Sequence, residues 1–283
     1  PRSCLTTENV YRPLFDEKQY RLFTKAAEDL PQWVEYLTRE EFFEAVPGSN
    51  TQCLGGVRIR GALAVDSPLY LKGLWDACHR AVSANRHGSG SATSMGGATW
   101  VRQRVDDIHR LAASGEFDAV VACVGAGAKV VAGVKDIVSL RLVLPAVAGG
   151  ETGKPGKLMC GSTQEPVLPR DVNKPPNMAQ AVRQLTPKIS KLFPALEGVE
   201  PVGVSSGVRV IQDRTEFGRI PIAGRLPFSE RGWVIAALGA RGLIHHAYLG
   251  RLVAACVLLD SDQHLPPQVI SPLEDLSTGE VDL

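Results

Sequence analysis

The pattern of apolar and polar positions is sharpest over residues 207–259. Val208-Arg209-Val210-Ile211 reads as a strand, a polar turn runs from Asp213-Arg214 to Gly218, and Ile220-Pro221-Ile222-Ala223-Gly224 follows. A fully apolar run then covers residues 233–238 and stops abruptly at Gly239-Ala240-Arg241-Gly242. Such a run predicts a strand in a sheet covered on both faces. From Leu243 onward, Leu249, Leu252, Val253, Cys256 and Val257 recur at helical spacing. Strand, glycine turn and helix aim backbone N–H groups and the positive end of a helix dipole at one point. An anion or a polarised carbonyl suits that point. Glycines of this kind also serve plain α/β crossovers, where the need is purely conformational.

The remaining pattern is read in chain order. Residues 1–56 read mainly helical: residues 16–30 are amphipathic, with Tyr20, Phe23, Ala27 and Leu30 on one face. Thr38-Arg39-Glu40-Glu41 has capping-box form ahead of Phe42-Phe43. Residues 53–64 carry two glycine breaks around a strand-like Val57-Arg58-Ile59. Ser67-Pro68 predicts a helix start, with Ser67 as the cap and Tyr70, Leu71, Leu74, Trp75 and Cys78 as the buried face. Residues 85–97 form a Gly/Ser-rich loop, and strands are predicted over residues 100–108 and 117–124. Residues 149–156 are rich in breakers, and residues 158–172 suit a strand and a proline-punctuated loop. Pro187 splits residues 177–193 into a helix pair, because proline cannot donate inside a helix. The acidic, proline-containing tail after Asp260, residues 261–283, is expected to be loosely held.

Composition narrows the function classes. The 283-residue chain carries a formal net charge of +1 with no block of like charges, so it lacks the basic footprint that nucleic acid or a membrane surface calls for. The six cysteines are scattered without a C-x-x-C pair, which fits reduced core thiols in a soluble protein of a reducing compartment. No apolar run is expected to reach the length of a membrane span, and no signal peptide is visible. The chain begins at Pro1, which is expected of a processed protein or a piece of a longer one. Oligomeric state is not readable from the sequence.

Candidate chemistry is sparse. Asp118-Ala119-Val120-Val121-Ala122-Cys123-Val124-Gly125-Ala126 is a strand ending in small residues, where backbone can approach a ligand closely or simply turn. Arg209 lies inside an apolar strand and needs a partner, either an internal carboxylate or a bound anion. Three literal motif matches fail on context. Lys154 is followed by Pro155, which breaks the phosphate-loop pattern. Gly203-Val204-Ser205-Ser206-Gly207 leads into a strand where a nucleophile elbow needs a helix. His245 and His246 are adjacent, so on a helix they diverge by about 100° and cannot chelate one metal.

Taken together, several stretches resemble the FAD-dependent oxidoreductases related to D-amino acid oxidase, glycine oxidase and sarcosine oxidase. They are Gly61-Ala62-Leu63-Ala64-Val65-Asp66-Ser67-Pro68, residues 118–126, residues 158–163, residues 185–194, Gly207-Val208-Arg209, residues 220–224 and residues 238–243. They keep the family order and cover about residues 12–259. The resemblance implies an α/β fold of interleaved domains. Residues 57–134 and 206–260 would form the FAD domain, and residues 1–56 and 135–205 the substrate domain. It implies FAD as cofactor, held by Val105, Cys123, Gly125, Ala126, Gly239, Ala240, Arg241, Gly242 and Leu243. It further implies a small-molecule amine or amino-acid substrate, with Arg209 facing its carboxylate. One departure is large: the family's opening strand–G-x-G-x-x-G–helix, which holds the FAD pyrophosphate, is not found here. The Rossmann-like part is therefore expected to be incomplete at its start. A non-catalytic homologue serving as a binding or assembly module is the rival reading.

Overall fold

The computed structural model describes residues 5–50, 52–85, 98–129, 131–134, 140–144, 146–149, 159–161, 163, 165–168, 171, 174–175, 177, 178–201, 203–227, 229–270 and 273. The chain divides into two compact units. One comprises residues 1–102, 151–157 and 186–200; the other comprises residues 103–150, 158–185 and 201–283.

The first unit is built on strand β1 (Leu5–Pro13), helix α1 (Glu17–Asp29), β2 (Val34–Leu37), α2 (Arg39–Ala45), β3 (Gly56–Val65) and α3 (Ser67–Asn85). Its sheet is antiparallel in the order β1-β3-β2, with Tyr11 opposite Arg58 and Glu35 opposite Arg58 on the other side. Residues 1–56 are thus not mainly helical. β1 and β2 take their extended form from pairing with β3, about twenty to sixty residues away, which no local periodicity announces. The capping box forms as expected: the Thr38 N–H donates to Glu41 Oε2 at 2.8 Å, and the Glu41 N–H donates to Thr38 Oγ1 at 3.3 Å. It aims Phe42 into a small core with Leu37 and Cys53. Gly56 is required there, since a β-carbon would fall 1.9 Å from the Phe42 ring.

Helix α3 starts where expected but one residue earlier in role. Asp66 is the cap, accepting from the Leu69 N–H at 3.1 Å, so Ser67 is already helical. Its expected buried face is not buried. Leu71 is 64% exposed, Leu74 and Cys78 are also exposed, and Trp75 meets Trp100 edge-on at 5.6 Å. Among the described residues, none of the three core clusters takes a residue from α3. Most of the Gly/Ser-rich loop lies outside the described residues.

The second unit holds α4 (Ile108–Ala113) and strands β4 (Val120–Ala122), β5 (Leu140–Leu144), β6 (Ala146–Gly149), β7 (Met159–Gly161) and β8 (Glu165–Pro166). It also contains the first part of α5 (Met178–Leu192), then β9 (Val204–Ser206), β10 (Arg209–Gln212), β11 (Ile222–Arg225), β12 (Gly232–Ala236) and α6 (Gly242–Leu259). Among the described residues its sheets run β10-β5-β8, β7-β6-β9 and β11-β12-β4, and of these strand pairs only β12–β4 is parallel. The fold is mixed α/β.

β12 is covered on both faces, as its apolar run predicts. Val234 and Ala236 join Val210, Ile222 and Ile108 on one side. Trp233, 1% exposed, meets Leu249, Val253 and Cys256 of α6 on the other. Each alternate side chain therefore has a core to enter.

Three local expectations yield to tertiary context. No strand forms over residues 100–108; Asp107 instead caps α4 by accepting from the Arg110 N–H at 3.1 Å. Pro187 does not split α5, because it and Arg183, whose carbonyl loses its donor, lie on the exposed side where water serves instead. The tail is not loose at its start: Leu265, Val269 and Leu273 are buried in the two large clusters. The Asp262 carboxylate accepts from the Arg225 N–H at 3.3 Å, and Arg225 pairs with Asp260 while lying over the Trp233 ring at 4.4 Å.

Residues Gly239–Leu259 form a 21-residue helical stretch containing an 18-residue window of mean hydropathy 1.5, long and apolar enough to cross a membrane by length and composition alone. The expectation that no run reaches that length is therefore not confirmed, since the stretch passes despite Arg251 and the histidine pair.

Candidate functional site

Parallel pairing of β4 and β12 puts their C-terminal ends at one sheet edge, with Ala122 beside Val234. Both chains then turn through glycine. β4 runs on through Cys123 and Val124 into a 3-10 turn, Gly125–Lys129, entered with Gly125 at φ +50°. β12 runs on through Ala237 and Leu238 into a second 3-10 turn, Gly239–Arg241, and directly into α6. Such edges at the carboxyl ends of parallel strands are where open α/β sheets bind ligands.

The second turn is tightly wound. Gly239 has φ +56° and Ala237 φ +55°, the latter a left-handed conformation that costs an alanine about 1–2 kcal/mol. Surrounding structure holds it: Ala237 is buried, and Leu238 bridges Ile211 of β10. A β-carbon on Gly239 would sit 3.3 Å from Ile211 Cγ2, so the turn lies against β10 itself.

Between this turn and β10 opens a cavity of about 370 Å³. Strand alternation sends Arg209 and Ile211 to the cavity wall and buries Val210 and Gln212 on the opposite face. The β10–β11 connection adds Arg214 and Arg219, and the far wall is residues 237–241 with His245 one helical turn on. The wall is strongly cationic. Among the described residues it carries four arginines and no carboxylate, and no described ion pair engages Arg209, Arg214, Arg219 or Arg241.

Of the residues singled out in the sequence, Arg209, Gly239, Ala240 and Arg241 meet in this cavity. Gly242 and Leu243 begin α6 behind it. Gly125 and Ala126 sit on the neighbouring turn, with Cys123 two residues before it, and the turn packs against β10 without lining the cavity. Val105 lies in an irregular segment and does not line it. Desolvation pushes the Cys123 thiol above its ordinary value although the residue as a whole reaches the surface, so it is not poised as a thiolate. Ile211, Arg214, Arg219, Pro221 and His245 are lining residues the sequence reading did not assign. Alternation along β10 was the available signal for Ile211. His245 was weighed only as a metal ligand, and no metal-ligating group of three occurs among the described residues.

The sequence matches the family described as FAD dependent oxidoreductase over residues 3–256. The chain belongs to that family. It is an oxidoreductase by kinship, and its cofactor is FAD. No curated protein matches the sequence. Solved structures share the fold at low identity. Glycine oxidase from Geobacillus kaustophilus is 20% identical with a TM-score of 0.67, over 94% of this chain and 75% of that one. Iminodiacetate oxidase from Chelativorans sp. BNC1 is 16% identical with a TM-score of 0.66, over 93% and 75%. L-proline dehydrogenase from P. horikoshii is 15% identical with a TM-score of 0.64, over 98% and 78%.

This FAD-dependent oxidoreductase offers a wall that fits the ring end of the cofactor. Residues 237–240 present a tightly wound backbone at the positive end of an 18-residue helix, with Arg241 beside it. Such an arrangement would favour negative charge on a flat, electron-accepting ring placed against it.

Proposed function

We propose that this oxidoreductase oxidises an amine or amino acid at the carbon beside nitrogen, with Arg209 holding the substrate carboxylate. The observation that carries the reading is one cavity shared by an arginine on β10 that no described ion pair engages and the glycine turn that opens α6. Cys123, Gly125, Ala126, Gly239, Ala240, Arg241, Gly242 and Leu243 would face the cofactor, with Val105 more remote. When bound, FAD supplies the two-electron acceptance that C–N oxidation needs.

The chain's own residues do the rest. Arg209 anchors the carboxylate through charge-assisted hydrogen bonds and so fixes which carbon faces the turn. Ile211, Pro221 and Leu238 give that space an apolar patch against which a substrate's carbon chain can rest. Residues 237–241 and the α6 dipole favour negative charge at the wall. An amine that arrives neutral needs no protein base, which agrees with the lack of a carboxylate among the described lining residues.

The test is anaerobic titration of the FAD-loaded protein with amino acids and simple amines, followed by flavin absorbance. Bleaching by at least one of them is expected. Arg209→Leu should raise KM for carboxylate substrates about ten- to a hundredfold, the worth of a charge-assisted bond. Unchanged kinetics with flavin retained would remove Arg209 from the site.

A further inference from the structure

The cavity holds more positive charge than one carboxylate can use. Arg209 alone suits a carboxylate, yet Arg214, Arg219 and Arg241 line the same space and none is engaged by a described ion pair. The chain as a whole carries only +1, so this is local concentration and not general basicity. Arg209 is half-buried and the other three arginines are exposed, so together they set a local positive potential that an entering anion would neutralise.

Arg214 and Arg219 do not merely trail from a loose loop. The turn between them is closed by reciprocal hydrogen bonds: the Thr215 N–H donates to the Gly218 carbonyl at 2.8 Å and the Gly218 N–H returns to the Thr215 carbonyl at 3.0 Å. The Thr215 hydroxyl adds a bond to the same Gly218 carbonyl at 2.9 Å. Gly218 adopts φ +89°, which closes the turn sharply enough to bring both flanks back to the cavity. Arg241 and His245 stand on the opposite wall, four residues apart on one helical face. The volume is that of a small-molecule site.

We propose that Arg214 and Arg219 bind a second anionic group of the substrate, so that the substrate class is an amine carrying two anionic groups. The proposal rests on the reading of Arg209 as the partner of the first carboxylate. The second group is a carboxylate or a phosphoryl group; both present the paired anionic oxygens that guanidinium groups recognise.

The experiment is isothermal titration of the FAD-loaded protein with three amine-free probes that cannot be oxidised at a C–N bond: butyrate, succinate and 3-phosphonopropionate. Succinate or phosphonopropionate should bind at least about tenfold more tightly than butyrate. The tighter of the two identifies the second group. In the double variant Arg214→Gln/Arg219→Gln, altered only on exposed turn positions, that ratio should fall to within about twofold. Equal affinities for all three probes, or a ratio that survives the double variant, overturn the proposal. Arg209→Leu separates the two readings. If it abolishes butyrate binding while the wild-type ratio is near one, the first-carboxylate reading stands and the second-anion proposal falls. If butyrate binding ignores Arg209→Leu, or no probe binds, both fall.

Discussion

Gly239→Ala and Gly242→Ala should move stability in opposite directions, although the two glycines stand three residues apart in one turn. Gly239 has φ +56°, where an L-residue is disfavoured by about 1–2 kcal/mol. Its new β-carbon would also sit 3.3 Å from Ile211 Cγ2, so Ile211 must give by a few tenths of an ångström. Ile211 is β-branched and bridged to Leu238, which limits how it can yield and adds on the order of 1 kcal/mol. Gly242 has φ −53°, and a β-carbon there would rest 3.6 Å from Leu238 Cβ, an ordinary contact. Alanine at that helical position should stabilise by about 0.5 kcal/mol. The two variants should therefore differ by about 3 kcal/mol, or roughly 6–12 °C in Tm. Circular dichroism melts give the difference, and absorbance gives the flavin each variant keeps. Gly239→Ala should also lose flavin. A Gly239→Ala protein that melts as high as Gly242→Ala would show that the left-handed turn is not needed, and the cavity wall built on it would be wrong.

Two further outcomes test the packing of each unit by itself. Glu35 on β2 accepts from Arg58 Nε at 2.9 Å and also pairs with Arg60, and the Arg58 hydrogen bond leads in holding its carboxyl below the usual 4.5. A lowered folded value means the contribution is fully present above 4.5 and is lost as pH falls through the lowered value. Glu35→Gln should accordingly cost about 0.5–1 kcal/mol in chemical denaturation at pH 7, and that cost should vanish in strong acid. A cost that persists at low pH would assign Glu35 a packing role instead. Leu273, buried against Val210, Ile222 and Val234, should cost about 2–4 kcal/mol as Leu273→Ala. A loss under about 0.5 kcal/mol would return that segment to the loosely held tail expected from its sequence.

The sequence by itself determined the elements whose signals are local. The apolar run of β12, the glycine stop and the periodicity of α6 all follow from neighbouring residues, and so does the Thr38–Glu41 capping box. Arg209 announced itself because a charge in an apolar strand needs a partner. The tertiary structure decided what depends on residues far apart in the chain. β1 and β2 are strands only because β3 pairs with them, and residues 106–108 are held by backbone hydrogen bonds to Ala132. The tail is held because Leu265, Val269 and Leu273 find cores whose openings no linear pattern shows. The cationic character of the cavity is of the same kind. Arg209, Arg214, Arg219 and Arg241 converge only once the turn after β10 folds back and the turn after β12 bridges to it. Even the difference between Gly239 and Gly242 was unreadable, because glycine accepts either sign of φ and only the folded backbone chooses.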